Sequence, residues 1–66
     1  MPEVKFLTIL NFNMNEVNTY KLQGEMLEKF LSMDEEDFIR EIIELNPDEL
    51  SWMISSYEPY TTYETL

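Results

Sequence analysis

The sequence predicts an α+β fold: an N-terminal β-hairpin packed against three short helices, with a third strand available from the C-terminal tail. Three observations carry this. A run rich in β-branched and aromatic residues, Val4–Phe12, is followed by asparagine-rich turn chemistry and a second such run, Val17–Leu22. After the single glycine, Gly24, the apolar spacing changes from two to between three and four. Two helix-start signals then follow, Ser32 with Glu35 and Asn46 with Pro47.

In the first strand Val4, Phe6, Leu10 and Phe12 share one face with Thr8, while Leu7 and Ile9 lie on the other beside Lys5 and Asn11. A strand apolar on both faces is characteristically central or covered on both sides. Helical spacing through Phe6, Ile9 and Leu10 is the competing reading. Asn13, Met14, Asn15 and Glu16 suit the turn, because asparagine tolerates left-handed backbone angles. The hairpin spans about residues 3–22.

Met26, Leu27, Phe30 and Leu31 make the apolar stripe of a first helix over about 24–32, with Glu25, Glu28 and Lys29 opposite. Ser32-x-x-Glu35 reads as a capping box, and Asp34, Glu35 and Glu36 favour the positive end of the helix dipole. The second helix covers about 33–45, with Phe38, Ile39, Ile42, Ile43 and Leu45 as its apolar arc. Asn46 as N-cap and Pro47 at the first turn open a third, over about 47–57, with Leu50, Met53, Ile54 and Tyr57 on one face. Pro59 stops it. The tail, 58–66, either adds a strand or frays.

Sixty-six residues form one domain of marginal core size. Cysteine and histidine are both absent, so neither a disulfide nor a histidine-held zinc reinforces it. A hydrophobic fraction of 44% with 14% aromatics nevertheless separates the chain from disordered acidic tails. The lack of cysteine fits a reducing cytoplasm. Met1–Leu10 has no basic start, long apolar run or small-residue cleavage site, and no apolar run is long enough to span a membrane. The net charge of −10 repels nucleic acid and anionic lipid, so neither is an expected direct partner.

The charge is concentrated. Residues 1–24 sum to zero and 50–66 to −2, while 25–49 hold ten acids against Lys29 and Arg40, which leaves −8. On a regular helix Asp34, Asp37, Glu41 and Glu44 fall within an arc of roughly 80°, with successive carboxylates about 5–6 Å apart. That spacing approaches the separation of phosphates along a nucleic-acid strand. Like charges so placed cost helix stability, as a surface kept for a basic partner would. The plainer explanation is the solvated side of an amphipathic helix. Glu25, Glu28, Asp48 and Glu49 extend the field under either explanation.

Catalytic equipment is missing. Without histidine or cysteine the commonest general base and the strongest nucleophile are gone, and so small a chain leaves little material for a carboxylate-lined cleft. The acidic run Asp34–Asp37 leads straight into Phe38 without the mid-loop glycine of a calcium loop. Asn11, Asn13 and Asn15 alternate as loop ligands do, but Leu22 stands where the closing glutamate belongs. No metal, cofactor or phosphate-binding loop is expected.

On the third predicted helix Trp52 points away from the Leu50 face, so it is either packed from a second side or an interface anchor. Tyr57, Tyr60 and Tyr63 recur every three residues as a candidate aromatic edge. Met14, Met26, Met33 and Met53 are expected to fill core gaps.

Size, charge and absent chemistry together predict a non-enzymatic protein-binding module that regulates or inhibits a larger protein. In its sharper form it mimics nucleic acid at a basic groove, as small inhibitors encoded by phages and mobile elements do in composition. The alternative is a structural or assembly role, as a homodimer or docked subunit, through Trp52, the tyrosines and the two-faced strand. The partner-binding candidates are Asp34, Asp37, Glu41, Glu44, Trp52, Tyr57, Tyr60 and Tyr63.

Overall fold

The computed structural model describes residues 3–66. Met1 and Pro2, where the segment read for a leader begins, lie outside them. Strands β1 (Lys5–Asn11) and β2 (Glu16–Leu22) form the expected hairpin, in antiparallel register from Lys5↔Leu22 to Asn11↔Glu16. Asparagine chemistry makes the turn. Asn15 holds φ at 55°, and the Asn11 side-chain carbonyl accepts the Met14 amide at 3.1 Å.

Helix α1 (Gly24–Ser32) follows at once. Gly24 sits at φ 59°, a left-handed angle that reverses the chain out of β2 and that a side chain resists. Leu27 and Phe30 are its buried residues. The predicted capping box is not formed, because Ser32 still belongs to α1 and its hydroxyl donates back to the Lys29 carbonyl at 3.0 Å. Asp34, in extended conformation, is the N-cap of the next helix, and its side chain makes no capping bond.

That next helix is shorter and wider than the expected 33–45. Four α-helical residues, α2 (Glu35–Phe38), continue into a π-helical segment, Ile39–Ile43. Glu44, left-handed at φ 65°, ends it, and the Leu45 amide closes on the Ile39 carbonyl at 3.2 Å. Phe38 and Ile39 are fully buried, and Ile42, Ile43 and Leu45 all pack against the same core from the wider turn.

The third predicted helix does not exist. Its start signal is real but local: the Asn46 side chain accepts the Asp48 amide at 3.1 Å with Pro47 at the first position, and a single 3-10 turn, Pro47–Glu49, results. The chain then extends as β3 (Leu50–Ser55), paired antiparallel to β1 from Phe6↔Ser55 to Asn11↔Leu50. Leu50, Trp52 and Ile54 alternate with Ser51, Met53 and Ser55, so a period-two pattern lay inside the helical one. The free edge of a doubly apolar β1 decides between them.

The tail does add a strand. β4 (Glu64–Thr65) lies parallel to β2, extended by a bond from the Leu66 amide to the Lys21 carbonyl at 3.1 Å. The sheet order is β3-β1-β2-β4, which puts β1 inside.

One face of this mixed sheet carries Leu7, Ile9, Leu22, Trp52 and Ile54 and meets the helical layer. Leu7, Ile9, Leu22, Leu27, Phe30, Phe38 and Ile39 form the buried core, where Phe30 and Phe38 meet edge to face at 5.1 Å. Each such side chain contributes about 1.5–3 kcal/mol on full burial. Among the described residues no helix covers the second face. There Thr8 and Thr19 share a hydroxyl hydrogen bond of 3.2 Å, and Phe6 is buried beneath Tyr63, edge to face at 5.2 Å.

Candidate functional site

The layering separates charge from apolar surface. All ten acids of residues 25–49 lie in the helical layer and the turn that ends it. Nine of them are exposed and Asp37 is half-buried. Among the described residues the single salt bridge is Arg40–Asp37, at 3.0 Å with both side chains about half exposed. Such a pair contributes at most about 1 kcal/mol and leaves the field largely uncompensated.

The four stripe residues occupy less regular positions than a continuous helix would give. Asp34 precedes α2 as its N-cap, Asp37 lies within it, Glu41 lies in the π-helical segment, and Glu44 is the left-handed cap. Only Asp37 and Glu41 are therefore helical, and Asp37 is the member held by Arg40. The expected even ladder is corrected to a broader acidic surface that includes Glu35 and Glu36.

Trp52 is placed differently from expectation, and consequentially. On strand β3 it shares the helix-facing side with Leu50 and Ile54, the reverse of the helical prediction. Half-buried, its indole N–H donates to Glu35 Oε1 at 2.8 Å. A shallow depression lined by Met33, Asp34, Glu35, Glu36, Asp37 and Trp52 therefore joins the acidic segment to β3.

The tyrosines separate. Tyr57 and Tyr60 are exposed, at 83% and 109%. Tyr63 turns inward onto Phe6, with Lys21 Nζ 6.0 Å from its ring centroid and its hydroxyl donating to Glu58 at 2.7 Å. That hydrogen bond, ahead of burial, raises the Tyr63 pKa above the ordinary tyrosine value. Tyr20 is raised as well, first by burial and then by Glu64 and Glu16. Among the described residues the aromatic ring pairs are Phe6–Tyr63 and Phe30–Phe38, so the three tail tyrosines make no stacked edge.

The open face and the hairpin tip carry an apolar surface that extends the two-faced strand expected from sequence to residues the sequence did not single out for it, Val17, Met53 and Met14. Leu10, Val17 and Met53 are 39%, 64% and 63% exposed, and Phe12 and Met14 are 66% and 62% exposed. Met26 and Met33 pack on the core as predicted, whereas Met14 and Met53 do not. The strand alternation of β3 would have found Met53. Nothing comparable marked Met14.

Among the described residues no group of three or more acids is arranged to hold a metal ion, and no helix is long and apolar enough to cross a membrane. Comparison with known proteins found no matching family model, no matching curated protein and no matching solved structure.

Proposed function

We propose that this chain works by binding rather than catalysis, and that it regulates a larger protein by presenting its acidic helical layer to a basic groove of the kind that holds nucleic acid. One observation carries the reading: of the ten acids of residues 25–49, one is in a salt bridge and nine are exposed. Like charges gathered this way raise the free energy of the isolated fold, and a basic partner relieves them. Such a contact speeds encounter and weakens with salt.

The test is capture of partners from a bacterial lysate at low and high salt. The native chain is compared with one in which Asp34, Asp37, Glu41 and Glu44 are converted to amides, after both are shown to fold. Nucleic-acid-binding proteins retained by the native chain alone and released by salt support the reading. Equal capture by both forms removes it.

The apolar surface of Leu10, Phe12, Met14, Val17 and Met53 supports a second reading, assembly through the open face of the sheet. Sedimentation over a range of concentrations distinguishes it, since a strict monomer that captures no partner through that face excludes this role.

A further inference from the structure

The two edges of the sheet are treated differently. The outer edge of β2 is covered at one end by β4, opposite Tyr20 and Lys21, with the Leu66 amide bonded to the Lys21 carbonyl, and its other end carries the charged Glu16. β3 pairs with β1 alone, and among the described residues no other strand lies on its outer side. Exposed edges are ordinarily blunted by lysine, proline, a bulge or extreme shortness. β3 has none of these. Its six residues, Leu50–Ser55, hold no charge and no proline, and its register with β1 runs through six consecutive pairs without a bulge.

We infer that the bare edge of β3 receives an extended basic segment of the partner protein as a fifth strand, its lysine or arginine side chains alternating toward the acidic side. The inference rests on the basic partner proposed above and adds the manner of contact. Main-chain bonds along β3 supply affinity, and alternate side chains supply selectivity. On the helix side, an added residue lies about 4.8 Å laterally from its β3 neighbour. Next to Trp52 it meets the depression formed by Asp34, Glu35, Glu36 and Asp37, where the Trp52–Glu35 bond brings carboxylate over the strand. On the open side it lies beside Ser51, Met53 and Ser55, which are uncharged and suit apolar or small residues.

Charge also decides against a second copy of this chain as the occupant. Antiparallel pairing of β3 with itself in a continuous sheet sets both helical layers on the same side. The segments Asp34–Asp37 of the two chains would then lie on the same side of the joined sheet, each carrying four acids against the one bond from Arg40, and like charges so juxtaposed disfavour the pairing.

The probe is a capped peptide of alternating lysine and valine, titrated into the full chain while amide hydrogen exchange is followed by NMR. Alternate amides of β3 should gain about tenfold or more in protection, and the gain should fall at high salt. Two further peptides carry backbone N-methyl groups, one at every lysine and the other at every valine. In a strand the N–H groups that face one neighbour belong to every second residue, so one of the two should lose binding while keeping its charge.

A peptide that binds without protecting β3, with both methylated forms binding alike, overturns the edge and leaves the acidic-layer reading standing. Failure of the peptide to bind also overturns the edge, while the lysate capture judges the acidic layer separately. Equal protection by an alternating glutamate–valine peptide overturns the basic occupant. Concentration-dependent protection of β3 without peptide overturns it in favour of a second copy.

Discussion

The indole N–H of Trp52 donates to the carboxylate of Glu35 at 2.8 Å, tying strand β3 to the first residue of α2. The two residues are 17 apart in sequence and belong to different layers, so this bond reports directly on their assembly. Glu35→Ala should shift the tryptophan emission to longer wavelength and cost about 1 kcal/mol in chemical unfolding, the range of a single hydrogen bond. Glu35→Gln keeps an acceptor and should recover most of both.

Phe38 is fully buried and meets Phe30 edge to face. Phe38→Ala removes a side chain from the centre of a small core, at a cost of about 3–5 kcal/mol. In a domain of this size that approaches the whole stability, so calorimetry should show a much lower midpoint or no cooperative transition.

Two left-handed positions should respond oppositely to exchange. A Cβ on Gly24 would meet nothing within 4 Å, so Gly24→Ala costs backbone strain alone, about 1–2 kcal/mol. Glu44 already carries that strain at φ 65°, and Glu44→Gly should stabilise by about 0.5–1 kcal/mol in urea unfolding. The same exchange removes one acid from a crowded field, which acts in the same direction.

Tyr63 and Tyr20 titrate above the ordinary tyrosine value in the folded chain, Tyr63 chiefly because it donates to Glu58 and Tyr20 chiefly through burial. A raised folded pKa means that the native state holds the proton more tightly than the unfolded one. The associated stability is therefore complete below the unfolded value of about 10 and declines as pH rises through the folded one. Ultraviolet titration should show phenolate forming late, and Glu58→Gln should bring Tyr63 down toward the ordinary value.

Local signals were legible in the sequence wherever the structure is local. The hairpin, the Asn15 turn, the Gly24 reversal, α1 and the Asn46–Pro47 turn are each set by neighbours a few residues away, and each stands near its predicted place. The segment after Pro47 was not legible in this way. Leu50, Met53, Ile54 and Tyr57 satisfy a helical period, while Leu50, Trp52 and Ile54 satisfy a strand period, and no local interaction chooses between them. The choice comes from β1, some forty residues earlier, which presents a free edge and apolar residues on both faces. β1's two-faced pattern marks a central strand, yet a central strand needs two neighbours and the hairpin supplies only one. The acidic field was visible from composition. Its uneven geometry was not, because nothing in the spacing of Asp34, Asp37, Glu41 and Glu44 marks where α2 gives way to the π-helical segment at Ile39.

The inner position of β1 also sets the order in which the chain can assemble. Pairing with β2 spans as few as five residues, from Asn11 to Glu16, and can form on the scale of about 1–10 μs. Pairing with β3 joins Phe6 to Ser55 and must close a long loop before any contact rewards it. On the ribosome, synthesis at about 5–20 residues per second leaves the second edge of β1 without its partner for seconds. The helices emerge in that interval with half of the sheet beneath them unfinished. The last quarter of the chain thus completes the fold, and a nascent chain halted before residue 50 would carry an open apolar strand to any chaperone or neighbouring chain that met it.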